Sequence, residues 1–310
     1  MLLENMEKIV DFQYGENKQQ AASLYKTEHS LTTTLLNGES LSYKDYLNMT
    51  VLVNILSEFY DVNATVIAKS GLLCSTALGK SLTDSYSKAV DSNPISALDS
   101  CIGFSKTVDT RTAKKIVQNR VELVLAPNVE DEALEILRGI KNLKIVKLET
   151  PLDEVKILET GEINVTPFGI LEQETDRADF NKDLFKVRTK KKPEQEQLED
   201  AIFAFKNVKY AKSDAAIIAK DFKTISICQS ETNLASSCEN AIDYACDSTK
   251  DAVLACDRPI ETPDVIHAAA RGRIALIIEP GGSKNIAETI KQCDKYEIAL
   301  VTTGIEHFKH

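Results

Sequence analysis

A chain of 310 residues, 43% hydrophobic and 27% charged, suffices for one large globular domain or two ordinary ones. Its net charge of −10 argues against a nucleic-acid partner, because backbone phosphates demand a clustered positive face. No apolar run approaches the length of a membrane span, so no membrane partner is expected.

Met1 to Asp11, with Glu4 and Glu7, is expected to be neither a signal peptide nor an anchor. Seven scattered cysteines include no CxxC pair and accompany only four histidines, so no metal site is expected. Reduced thiols in a cytoplasmic protein are the expectation.

Asp45 to Tyr60 has a helical pattern, and Ala64 to Lys69 is a short apolar run that suits a buried strand. Asp109 to Asn119 is the next helix. It feeds a strand at Val121 to Ala126 that stops at Pro127. Asn128 is the expected cap of a helix starting near Glu130, with Asp131 at its positive end. Ala133, Leu134, Ile136, Leu137 and Ile140 form its apolar face, and Leu143 to Leu148 is the return strand.

Lys190-Lys191-Lys192 before Pro193 reads as a solvated linker. The pattern then repeats. Gln195 to Ala211 is helical and Ala215 to Lys220 is a buried strand. Thr262 to Arg271 is a helix with Thr262 as N-cap and Pro263 at its first position. A strand from Ile274 to Glu279 ends at Pro280. It is followed by a helix striped with Ile286, Ala287, Ile290 and Cys293, and by a strand from Ile298 to Val301. Lys69 lies 58 residues before Pro127, and Lys220 lies 60 before Pro280. The spacing predicts an α/β protein of two duplicated three-layer subdomains, residues 1–188 and 189–310, joined near 186–194. Strands bridged by crossover helices should pair in parallel.

Between these elements lie Tyr14-Gly15-Glu16-Asn17, Asn37-Gly38 with Leu41-Ser42-Tyr43, Pro94-Ile95-Ser96-Ala97 and Thr112-Ala113-Lys114. Ala126-Pro127 with Glu132-Ala133-Leu134, Lys212-Ser213, Pro280-Gly281-Gly282-Ser283 and His307-Phe308-Lys309-His310 follow. In that order, over nearly the whole chain, they resemble the formyl-transfer half of the bifunctional purine-biosynthesis family that formylates AICAR and closes IMP. The resemblance implies two cytidine-deaminase-like subdomains and a homodimer with sites at the subunit interface. It also implies 10-formyltetrahydrofolate as a co-substrate, with no tightly bound cofactor, and small-molecule partners of nucleotide or folate type. The cyclohydrolase half is not matched, so ring closure is not expected.

Such chemistry needs a base near the attacking amine, a donor for the developing oxyanion and anchors for the nucleotide phosphate. The family's Lys-His-x-Asn-Pro-Cys-Gly corresponds here to Lys69-Ser70-Gly71-Leu72-Leu73-Cys74-Ser75. Lys69 is therefore the retained electrostatic group, and Ser70 stands where the family has its histidine. Tyr14, Gly15 and Asn17 map to substrate binding, as does Asp214, which replaces an asparagine after Lys212-Ser213. Two family arginines are Gln13 and Glu306, and a Gly-x-Gly-Gln-x-Ser-Arg loop has become Cys228 to Leu234. The family's Ser-Asp-Ala-Phe-Phe-Pro-Phe is Cys256-Asp257-Arg258-Pro259-Ile260-Glu261-Thr262.

The resemblance therefore implies a transformylase fold with an eroded site, its activity weakened, altered or lost. Two alternatives stand beside this: a non-catalytic paralogue acting as dimer partner or nucleotide sensor, and an enzyme for a non-phosphorylated substrate. Other readings of single features also stay open. Lys69 can be purely structural, Tyr14 to Asn17 a tight turn, and Pro280 to Ser283 a strand–helix turn rather than an anion site. Cys74, Cys228 or Cys256 can supply a thiol nucleophile.

Overall fold

The computed structural model describes residues 6–155, 161–178 and 182–310, so part of the Met1 to Asp11 segment lies outside the described residues. The protein is a mixed α/β structure built on one twelve-stranded sheet. One half of the sheet carries, from the middle outward, Leu72–Gly79, Asn63–Lys69, Ser100–Phe104, Val121–Ala126, Lys144–Leu148 and Thr33–Asn37. The other carries Lys223–Cys228, Ala216–Lys220, Val253–Cys256, Leu276–Glu279, Ala299–Thr302 and Lys186–Val187. In each half the two crossover pairs are parallel and the remaining pairs antiparallel. The halves meet where Lys223 pairs with Ala77.

Alternation along the buried strands assigns their side chains to two faces. Val66, Leu123, Leu125, Ile217, Leu276 and Ile278 point to a face covered by the helices Tyr43–Ser57 and Gln195–Val208, whose Leu52, Leu56, Phe203 and Phe205 are buried there. That core runs without a break across both halves. Ile67, Ile102 and Val124 point the other way, against the helices Leu82–Ser92, Thr110–Ile116 and Asp131–Arg138. Ile218, Leu254 and Ile277 do the same against Leu234–Ala245, Asp264–Arg271 and Ile286–Lys295. Each large apolar side chain buried in this way stabilises the fold by about 1.5–3 kcal/mol. The arrangement is helix, sheet, helix.

Local signals explain most element ends. Ser42 and Asp45 form a capping box at the start of Tyr43–Ser57, and the Asp109 side chain accepts the Thr112 N–H. Two expected caps are corrected. Asn128 is not the cap: Glu130 occupies the N-cap without a side-chain capping bond, its carboxylate accepting instead from the Thr110 N–H at 3.2 Å. The helix expected from Thr262 begins at Asp264, with Pro263 in the N-cap position.

Two hairpins are additional to the expected elements. The strand ending at Lys69 turns at once through Ser70 and Gly71, both with positive φ (55° and 73°), into Leu72–Gly79. Asp221 and Phe222 (55° and 53°) do the same before Lys223–Cys228. Two successive residues with positive φ are the signature of a type I′ hairpin turn, whose twist matches the flanking strands.

Candidate functional site

The sheet register brings two sequence-predicted sites to one end of the sheet. Lys69 pairs with Leu72, and Ala216 pairs with Cys228. Gln229, just after Cys228, ties the two halves: its side-chain amide donates to Leu73 O at 2.9 Å and its oxygen accepts from Lys212 N. Lys69 and Asp214 therefore share an end, separated by three strand spacings, or roughly 15 Å.

Lys69 is half-buried, and its ammonium donates to the Leu98 carbonyl at 2.6 Å. It thereby anchors the segment that follows Pro94-Ile95-Ser96-Ala97. Ser70 is exposed at the tip of the turn. The histidines lie elsewhere: His29 beside Glu28, His267 against Tyr296, His307 on Asp176 and His310 against Phe308.

Burial pushes the Cys74 thiol up to about 11, against the lowering influence of Lys69. Cys228 rises to about 11 through burial and the charge of Glu231. Cys256 is raised by its contact with Cys238, 3.8 Å away, and by full burial. A thiolate nucleophile is thus disfavoured at all three positions near neutral pH.

Asp214 is almost wholly buried. Its N–H bonds to Glu231 O, and its carbonyl accepts from Ser237 Oγ on the helix Leu234–Ala245. Its carboxylate lies 3.1 Å from Arg258 Nη1. Arg258 also lies 5.5 Å from the centre of the Phe308 ring. The neighbouring Ser213 hydroxyl donates to Asp257, and Ser213 N–H bonds to Lys309 O, tying the C-terminal segment to this loop. Both the Asn-to-Asp and the Ala-to-Arg departures noted above thus fall in one ion pair, 44 residues apart in sequence. No motif in the sequence announces that pairing.

Beside it opens a cavity of about 660 Å³ lined by Arg258, Glu261, Ser283, Lys284, Glu306 and Phe308, among others. Gly281 N–H, at the start of the Pro280–Ser283 turn, is taken by the buried Glu279 carboxylate at 2.8 Å. A second cavity, about 750 Å³, includes His29, Asn54, Asp176, Lys209 and Tyr210 in its lining and none of the predicted site residues.

Tyr14, Gly15 and Asn17 form the loop between the strands Lys8–Phe12 and Ala22–Tyr25. Gln20 Oε1 accepts from both the backbone and the side chain of Asn17, and Gly15 N–H bonds to Gln20 O. A Cβ on Gly15 would stand 3.3 Å from Ala22 Cβ, so the glycine permits close packing. Among the described residues no hydrogen bond joins this loop to Lys69 or Asp214.

Lys69, Asp214 and a polar cavity thus share one end of a mixed α/β sheet. Residues 1–244 match the AICARFT/IMPCHase bienzyme family, and the chain belongs to that family. It is 37% identical over 308 residues to the bifunctional purine biosynthesis protein PurH of Thermoanaerobacter sp. (strain X514), spanning 98% of this chain and 59% of that protein. The identity is 38% over 309 residues with the PurH protein of Acetivibrio thermocellus (98% and 60%), and 34% over 308 with that of Brachyspira hyodysenteriae (97% and 58%). The chain thus spans about six-tenths of the length of these curated relatives.

Proposed function

We propose that the chain is an AICAR-transformylase-type domain whose site is eroded, so that formyl transfer from 10-formyltetrahydrofolate to AICAR is weakened. Family membership and the retained Lys69 support the reaction class. The observation that carries the erosion is Ser70, an exposed turn residue in the place of the expected base, with all four histidines engaged at other positions. A missing general base lowers the rate by about 10²–10⁴-fold. Loss of positive charge at Gln13 and Glu306 acts in the same direction on binding of a phosphate dianion. Cyclohydrolase activity is not part of this reading.

The two halves repeat one order of pairing senses, which supports their origin as two copies of a cytidine-deaminase-like unit. A homodimer completes the reading. The hairpin Gly161–Thr166 and Gly169–Glu174 holds Ile163, Val165 and Ile170 on one exposed face, with Phe168 wholly exposed at its tip, and a two-stranded ribbon is marginal alone. Seven free cysteines accord with a reducing, cytoplasmic compartment.

The test is formylation of AICAR by purified protein, set against Lys69→Ala. Slow turnover that disappears in the variant supports the proposal. Brisk turnover would show that the site is intact, and no turnover with AICAR bound would favour the sensor alternative.

A further inference from the structure

We propose that Arg258 is the anion-recognising residue of the 660 Å³ cavity, supplying from a different element the positive charge that position 306 lacks. The ligand it selects is a small molecule bearing a phosphate or carboxylate together with N–H or O–H donors. The inference rests on the transformylase-type reading only in taking this cavity as the place where substrate sits.

Three observations converge on Arg258. First, the side chain is held in place: Nη1 lies 3.1 and 3.5 Å from the two oxygens of buried Asp214, and the guanidinium sits 5.5 Å from the Phe308 ring centre. A cation oriented in advance loses less entropy on binding. Second, the guanidinium carries five N–H donors, and the described contacts to carboxylates are Nη1 on Asp214 and a long 3.9 Å approach of Nη2 to Glu261. Donors therefore remain for a planar or tetrahedral anion. Third, the side chain is one-third exposed and lines the cavity, with Ser283 and Lys284 adding a hydroxyl and a second cation.

Asp214 explains why the arginine stays in place. A buried carboxylate without a partner costs several kcal/mol. A neutral amide at that position needs no such counter-ion. Arg258 and Asp214 are therefore a coupled exchange, in which the acid holds the base at the cavity wall. Glu261 and Glu306 line the same cavity, so together with Asp214 the carboxylates there outnumber Arg258 and Lys284 by one charge. A bare dianion is disfavoured there, and a ligand whose amine or hydroxyl groups donate to these carboxylates is favoured.

Calorimetric titration of the full chain tests this with four probes: AICAR, its dephosphorylated nucleoside, inorganic phosphate and glutarate. The decisive variant is Asp214→Asn/Arg258→Ala, which removes the cation without stranding the acid. Its expected behaviour is an unchanged melting temperature, about tenfold or greater loss of affinity for AICAR, and no change for the nucleoside. Inorganic phosphate and glutarate, without the amine and sugar hydroxyls, are expected to bind more weakly than AICAR, and the stronger of the two distinguishes a phosphate from a carboxylate site. Should the double variant fail to fold, Arg258→Lys keeps the charge and loses the fork, and about threefold weaker anion binding is expected. AICAR binding that ignores Arg258 overturns the proposal and leaves the transformylase reading standing. Arg258-dependent binding of phosphate or glutarate without any binding of AICAR does the reverse. No binding of any probe by the wild type overturns it as well.

Discussion

The Lys209 ammonium lies 3.4 Å from the Glu58 carboxylate, both side chains are more than nine-tenths buried, and the pair joins the two halves of the molecule. Glu58 is the C-cap of the helix Tyr43–Ser57, and Lys209 follows the helix Gln195–Val208 on the same face of the sheet. Tyr210 donates its hydroxyl to the same carboxylate oxygen at 2.9 Å, and Lys206 reaches the Glu58 carbonyl at 3.1 Å. The Phe59 and Phe203 rings pack beside them at 5.5 Å.

Removing one member strands the others. Glu58→Ala is expected to cost roughly 3–5 kcal/mol, because Lys209 and the Tyr210 phenol lose their shared acceptor in a poorly solvated place, while Lys206 keeps the backbone carbonyl. Urea unfolding measures the loss. Glu58→Ala combined with Lys209→Met should recover part of it, since the more deeply buried of the two lysine charges is then gone and Lys206 keeps its carbonyl acceptor. A double variant as unstable as the sum of the two single variants would show that the pair is not coupled.

Stability should fall as pH rises from about 5 to about 7. Burial raises the Glu279 carboxyl from 4.5 to about 7, against the lowering effect of the Gly281 and Ile260 N–H groups. Its native form therefore binds more protons than the unfolded chain across that window. The contribution is fully present below the unfolded value and is lost as pH passes the folded one, on the order of 3 kcal/mol at most. Asp257, raised mainly by burial, adds a change of the same sign. Glu279→Gln should flatten the dependence of the urea midpoint over this range, and an unchanged slope would assign it to other groups.

Gly79→Ala should be among the most damaging single methyl additions. The new Cβ would lie 2.3 Å from Ser85 N and 2.8 Å from Ser81 O, both backbone atoms of the turn into the helix Leu82–Ser92. No side-chain rotation relieves such a clash. A loss of about 3 kcal/mol or more is expected in thermal or urea unfolding.

Ser70→His restores an imidazole beside Lys69 in a turn position whose left-handed φ histidine tolerates better than most residues. If the missing base limits turnover, formylation of AICAR should rise by about 10²-fold, with a new dependence on a group titrating near pH 6.5. Unchanged turnover would place the deficit in ligand binding rather than in proton transfer.

Thiol labelling should separate Cys246 from the rest. It is the exposed cysteine, whereas Cys101, Cys228, Cys238, Cys256 and Cys293 are buried. Cys101 and Cys293 are both pushed by burial to about 12. One rapid equivalent of disulfide reagent, abolished in Cys246→Ser, is expected by mass spectrometry.

Short apolar runs ending in Lys69 and Lys220, helix-period stripes and strand–helix–strand spacing were legible in the chain by itself, because each depends on which residues lie within a few positions of one another. So was the family resemblance, which lives in ordered local motifs. The hairpins after those lysines are not legible in the sequence because Ser70-Gly71 and Asp221-Phe222 are not the usual Asn-Gly signals, and the turn type shows only in their φ angles. The placement of Lys69 and Asp214 at one sheet end required the register through Leu72, Gln229 and Cys228. The pairing of Asp214 with Arg258, like that of Glu58 with Lys209, was decided only by tertiary structure. A charge in sequence has no partner until folding brings distant backbone together and removes the water between them.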